Sequence, residues 1–167
     1  MASRLLAAAA VAALVAGAAH AAPQTLTAEL RNSAGQAVGA VTLTEAPKGV
    51  LLRVEAKGLT PGWHGVHFHE KGDCSKSDFT SAGAHVHGPG AGVHGLLNAA
   101  ANETGDLPNL HAGSNGEASA EMFTSLTTLA ALRDADGSAL VVHANPDDHL
   151  AQPIGGAGPR VACAVIK

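Results

Sequence analysis

Apolar and polar residues alternate with a period of two through much of this chain. In "VLLRVEAKGL" (50–59), Val50, Leu52, Val54 and Ala56 fall on one face, and Arg53, Glu55 and Lys57 on the other. That is the pattern of a strand with one side on a core and the other in water. "TLTAELRN" (25–32) and "AVGAVTLTEA" (37–46) read the same way, set apart by the turn-forming stretches "SAGQ" and "APKG". After "TPG" comes "GWHGVHFHE" (62–70), a strand in which His67 and His69, two apart, point to one face. "NLHAG" (109–113), "GEASAEMF" (116–123), "SALVVHA" (138–144) and "RVACAVIK" (160–167) supply further strands, and no stretch carries a convincing amphipathic helix. Between residues 70 and 108, and again from Asn145 to Pro159, the alternation dissolves into Gly, Asn, Pro, His and Asp. Loops that long inside a compact domain are functional or disordered, and these carry most of the remaining histidines. The predicted architecture is all-β: an eight-stranded Greek-key barrel, flattened like a sandwich, with two long functional loops.

The first residues follow a different rule. "MASRLLAAAAVAALVAGAAHAAPQ" has one early basic residue, Arg4, then an apolar run from Leu5 to Ala19 and a small-x-small pattern at Ala19-His20-Ala21. Residues 1–21 are read as a secretory signal peptide rather than an uncleaved anchor, and residues 22–167 as one domain. No cysteine follows the apolar run, so lipid attachment there has no acceptor. Export is expected, to the periplasm or beyond the cell, with no membrane insertion after cleavage. Loss of Arg4 takes the formal charge from −4 to −5, which argues against a nucleic-acid partner. Aromatics are 2% of residues, so Val, Leu, Ile and Ala must build the core. Two cysteines, Cys74 and Cys163, in an exported chain predict one disulfide, with two buried free thiols as the other reading.

The chemistry lies in the histidines. His67 and His69 sit on one strand, His85, His87 and His94 in the first loop, and His143 at a strand end, with Asp106 closing the first loop. Imidazole is the commonest metal ligand and suits copper and zinc, while a carboxylate adds a harder oxygen. One His-x-His pair would not separate structure from metal binding; several histidines on strand ends and long loops favour metal.

"GWHGVHFHEKGDCS", "SAGAHVHGPG", "GVHGLLN", "GDLPNLHAG", "LVVHANPDDH" and "GAGPRVACAVI" together resemble, in order and spacing, the successive motifs of copper–zinc superoxide dismutases of the bacterial exported type. The resemblance spans essentially the whole mature chain. It implies copper held by His67, His69, His85 and His143, with His85 bridging to a zinc site that includes His94 and Asp106. It implies that Asp147 links a copper-ligand ring to a zinc-ligand ring, that Arg160 docks the substrate anion, and that a Cys74–Cys163 disulfide anchors the first loop. His64 is similar to a histidine that the family uses for backbone hydrogen bonds. The implied reaction turns two superoxide anions and two protons into oxygen and hydrogen peroxide by Cu(II)/Cu(I) cycling, with His85 and Arg160 as the catalytic residues and zinc redox-silent.

The chain departs from that pattern in two places. Where the family has a further zinc histidine stands Glu103, in "ANETGD". It is read as an additional zinc ligand, against a solvent-facing glutamate; His87 could substitute only on a different loop path. The segment between His143 and Arg160 has no lysine, which leaves Lys71 and Lys76 as the nearest cations for steering. His111 and His149 match no ligand position, His149 being read as a solvated side chain, and Trp63 is read as packing. The oligomeric state, monomer or homodimer, stays open. A copper-storage or copper-transfer protein on the same fold is the alternative. It has no need of Arg160 or Asp147, which tilts the reading towards the enzyme.

Overall fold

A computed structural model describes residues 22–167, and the signal-peptide reading of residues 1–21 lies outside them. The described residues form nine strands: β1 (Thr25–Asn32), β2 (Ala37–Ala46), β3 (Gly49–Ala56), β4 (Gly62–His64), β5 (Val66–His69), β6 (Leu110–Ala112), β7 (Ala118–Thr124), β8 (Ser138–His143) and β9 (Arg160–Ile166). Seven pair in the order β5-β8-β9-β1-β2-β3-β7, and β4 pairs with β6 in a short ribbon. Each pairing is antiparallel. β6 packs beside β7 and β4 runs on into β5, so the ribbon stands between the two ends of the curled sheet.

The count exceeds the expected eight because the histidine-rich stretch is two strands. Gly65 breaks it: its N–H donates to the Asn145 carbonyl and its carbonyl accepts from His143, leaving β4 and β5 with different partners. A one-turn helix, α1 (Leu129–Leu132), was not expected; Thr128 caps it, its hydroxyl accepting from the Ala131 N–H at 3.1 Å. A four-residue helix is too short to leave a periodic signature.

Alternation decides the core. Leu30, Val41, Leu43, Val54, Phe68 and Ile166 are fully buried inside the sheet, and the intervening residues of β1–β3 face water. Burying each such side chain contributes roughly 1.5–3 kcal/mol, and Leu43→Ala would cost about 2–5 kcal/mol. A second, smaller cluster forms on the other face of the sheet, from Phe79, Ala82, Ala139, Val141 and Cys163. It exists because the first long loop folds back over β5, β8 and β9, and that covered outer face carries the histidines.

Candidate metal centre

β5 shows how the strand code places the site. Val66 and Phe68 enter the main core, so His67 and His69 must project outward; they are nevertheless fully buried, beneath the loops. The first loop returns to β5 along its free edge. Phe68 N–H donates to the Gly105 carbonyl at 2.8 Å, and Val86 N–H to the Phe68 carbonyl at 2.9 Å. Those bonds set His85 opposite His69 and Asp106 opposite His67. Only glycine fits at 105, where a Cβ would lie 2.3 Å from the Phe68 carbonyl oxygen. On the other side of β5, β8 ends at His143, where a register shift after Val142 redirects the strand.

Four rings converge: His67, His69, His85 and His143 each offer a nitrogen within 4.8 Å of the others. The facing atoms, His67 Nδ1, His69 Nε2, His85 Nε2 and His143 Nε2, are buried without a hydrogen-bond partner. Three of these rings are held from behind. His69 Nδ1–H donates to the Gly83 carbonyl at 3.0 Å, His143 Nδ1–H to the Gly158 carbonyl at 3.0 Å, and His67 Nε2–H to Asp147 Oδ2 at 2.8 Å. Each of those bonds fixes the tautomer that turns a lone pair inward. Burial lowers the pKa of all three, that of His143 to about 3 with help from the Arg160 charge, so these rings are neutral at ordinary pH. Three inward lone pairs, with the unpartnered Nε2 of His85 facing them, fit a metal ion, and imidazole sets of this kind suit copper.

The other nitrogen of His85 opens a second set. His85 Nδ1 lies 2.6 Å from Glu103 Oε2 and 3.4 Å from Asp106 Oδ1; His94 Nδ1 lies 2.8 Å and 3.0 Å from the same two oxygens. Asp106 Oδ2 accepts from Gly95 N–H at 2.8 Å, while its Oδ1 is buried with no hydrogen-bond partner. Burial opposes charge on these rings, but the adjoining Asp106 and Glu103 carboxylates outweigh it and raise His85; with Asp147 added they raise His94 to about 11. The same contacts overcome burial on the acid side and hold Asp106 and Glu103 below the usual carboxylate range. The donors fit a zinc-sized divalent ion.

Asp147 joins the two sets. Its Oδ2 takes His67 Nε2–H, and its Oδ1 takes His94 Nε2–H at 3.0 Å. Gly155 makes room for that oxygen, since a Cβ there would sit 1.6 Å from Oδ1. Sequence reasoning missed two supports of this carboxylate. His149 is no solvated side chain: its backbone N–H donates to Asp147 Oδ1 at 2.6 Å and its Nδ1 stands 3.3 Å from Oδ2. The Asn109 side chain brackets the Asp147 backbone, accepting from its N–H and donating to its carbonyl, both at 2.8 Å. The only signal for either was proximity in sequence to Asp106 or Asp147.

Arg160 is clamped by the Phe79 carbonyl at 2.6 Å and the Gly83 carbonyl at 2.7 Å, the latter shared with His69. Cys74 and Cys163 are joined by a disulfide that ties this loop to β9. His64 is buried away from both sets, between the carbonyls of Thr60 and His143. His87 and His111 stand apart in exposed positions, His111 edge-on to a half-exposed Trp63 at 4.7 Å between ring centres. Lys71 and Lys76 are exposed on the loop after β5.

A family model described as copper/zinc superoxide dismutase (SODC) matches residues 37–166. A protein of Caulobacter vibrioides named superoxide dismutase [Cu-Zn] is 62% identical over 147 residues, with 84% of each chain covered. Among solved structures, a Cu/Zn superoxide dismutase from Brucella abortus superposes with a TM-score of 0.73 at 32% identity, covering 86% of this chain and all of that one. A superoxide dismutase-like protein from Bacillus subtilis superposes at 0.76 with 35% identity, covering 84% of this chain and 97% of that one.

Proposed function

Because this chain belongs to the copper/zinc superoxide dismutase family, we infer that it is a superoxide dismutase, turning two superoxide anions and two protons into oxygen and hydrogen peroxide. The observation that carries the reading is the convergence of four buried, unpartnered imidazole nitrogens on one point, next to a guanidinium that shares the Gly83 carbonyl with His69. When bound, copper at His67, His69, His85 and His143 supplies one-electron redox cycling, and zinc at His85, His94 and Asp106 supplies a redox-silent charge.

The chain's own groups do the rest. Arg160, fixed by two carbonyls, presents a permanent positive charge to a small anion and orients it. Nε2 of His85 has no protein partner, so whenever it is not serving as a ligand it can hold a proton for a departing peroxide. Asp147 keeps His67 and His94 in their ligand tautomers. The loops exclude bulk water, since none of the four copper-facing rings is more than 3% exposed.

The test is paired: metal content and superoxide-consumption rate on one sample of the mature chain reconstituted with copper and zinc. About one copper per chain with fast turnover supports the dismutase reading. Copper bound without turnover overturns it and leaves a copper-handling protein.

We also propose that residues 1–21 direct export and are removed, delivering the domain to the periplasm. The bacterial origin of its relatives and the Cys74–Cys163 disulfide, at home in an oxidising compartment, support this. Mass spectrometry of the protein recovered from a bacterial periplasm, with an N-terminus near Ala22, is the expected result; a full-length chain in the cytosol would remove the proposal.

A further inference from the structure

We propose that Glu103 Oε2 is the fourth ligand of the second metal, making that site two imidazoles and two carboxylates. The inference deepens the metal reading above and rests on it, but it concerns a residue that stands where the family resemblance implies a histidine.

The argument begins with protons. His94 Nε2 faces Asp147 Oδ1 at 3.0 Å, and a carboxylate can only accept, so that nitrogen carries the hydrogen. In a neutral His94, Nδ1 therefore points a lone pair at Glu103 Oε2, 2.8 Å away, and at Asp106 Oδ1, 3.0 Å away. His85 Nδ1 meets the same two oxygens at 2.6 and 3.4 Å. Two nitrogens thus share two oxygens in four contacts, and without a metal a proton on each Nδ1 bonds to Glu103 Oε2 and leaves Asp106 Oδ1 unmet. A single cation at the centre satisfies all four. Tetrahedral zinc with bonds near 2.0–2.1 Å places its ligand atoms roughly 3.3 Å apart; the Asp106 contacts, at 3.0 and 3.4 Å, bracket that value, and the Glu103 contacts, at 2.6 and 2.8 Å, are hydrogen-bond lengths that would open by about half an ångström around the ion.

Burial and orientation point the same way. Glu103 is only 9% exposed, although it belongs to a long polar loop. Its backbone N–H is held by the Val93 carbonyl, one residue before His94, and the strand-like bridge to His87 sets its direction. Asp106 Oδ1 gives an independent sign: it is an unpartnered carboxylate oxygen on a residue 1% exposed, aimed into the cluster. His67 also comes near, but its Nε2 is committed to Asp147 and its single free nitrogen completes the first set. Glu103 fills the remaining place. Replacing an imidazole by a carboxylate adds one negative charge and one hard oxygen, so the site tolerates harder divalent ions better than a three-histidine site does.

The experiment uses the folded mature chain, with zinc affinity read by competition with a chromophoric chelator and ligand type read from the visible bands of bound Co²⁺. Glu103→Gln, which keeps the shape, is expected to weaken zinc by more than about tenfold and to shift the Co²⁺ bands. Glu103→His is expected to restore zinc affinity with bands moved towards a nitrogen-rich site. The Cu(II) spectrum of the first site, read on the same samples, should stay that of wild type, so loss of dismutase activity for other reasons does not affect the result. Wild-type zinc affinity and unchanged Co²⁺ bands in Glu103→Gln would overturn the proposal.

Discussion

His149 reaches Asp147 twice, through a 2.6 Å backbone bond to Oδ1 and through a ring nitrogen 3.3 Å from Oδ2. It does so from a left-handed backbone conformation, φ 61°, which is unusual for a residue with a side chain. Asn109 adds its amide to His149 Nε2 at 3.3 Å, so Nε2 accepts and the ring hydrogen sits on Nδ1, facing the carboxylate. Asp147→Asn removes one acceptor oxygen and leaves either His67 or His94 unheld. It is expected to weaken zinc by about 10–100-fold in chelator competition. His149→Ala keeps the backbone bond and should weaken zinc less than tenfold, by the same reasoning. Equal effects from the two substitutions would mean that the ring, not the carboxylate, orders the site.

The two metal sets differ in the protons they hold. Burial lowers His143 to about 3 and keeps His69 well below its usual value, so neither ring carries a second proton to lose at neutral pH. In the metal-free protein the carboxylates around His94 outweigh its burial and raise it to about 11. A raised histidine stabilises the metal-free fold below its unfolded pKa and loses that contribution as pH rises through its folded one. Zinc must therefore displace a proton from His94, and its affinity should climb about tenfold per pH unit for each proton released. Calorimetry in buffers of different ionisation heat should detect proton release on zinc binding. No dependence of the zinc heat on buffer would contradict this.

Much of this was legible in the chain. Period-two patterning gave β1 and β2 to the residue and carried β3 three residues too far, to 59 instead of Ala56; all three were legible because those strands have one wet face. It could not divide β4 from β5: β5 is buried on both faces, and the break depends on bonds from Gly65 to Asn145 and His143, about 80 residues away. Spacing put His67 and His69 on one strand face, but the choice of His85 and His143 to join them came from the family resemblance, since spacing alone also admitted the exposed His87. His149 escaped because its work is done largely by its backbone, and backbone bonds carry no side-chain signature. Glu103 was visible only as a substitution at an expected spacing; what spacing lacked was direction, which the Val93 and His87 contacts supply.

Arg160 should act on rate far more than on stability. Its guanidinium makes two bonds to carbonyls in one plane, and a lysine cannot make both. Arg160→Lys is expected to lower kcat/KM by roughly tenfold, and Arg160→Ala by more, with a flatter dependence on ionic strength. Lys71→Ala and Lys76→Ala test the exposed loop cations by the same salt dependence. Unchanged salt slopes in both would leave Arg160 as the sole steering charge among the three.

The disulfide is the last link between stability and chemistry. Cys74 and Cys163 are 89 residues apart, and closing so long a loop contributes roughly 4–5 kcal/mol in the chain-entropy model. The bond also fastens the segment that packs Phe79 and Ala82 against Ala139 and Val141. That segment runs on to the Gly83 carbonyl, which orients both His69 and Arg160. Replacing both cysteines by serine should lower the unfolding free energy measured in urea by about that amount and also loosen the carbonyl clamp. Copper retention and kcat/KM should then fall together, even where the chain is still folded. A destabilised double variant with wild-type kcat/KM and copper content would show that the second apolar cluster holds the loop without help from the covalent bond.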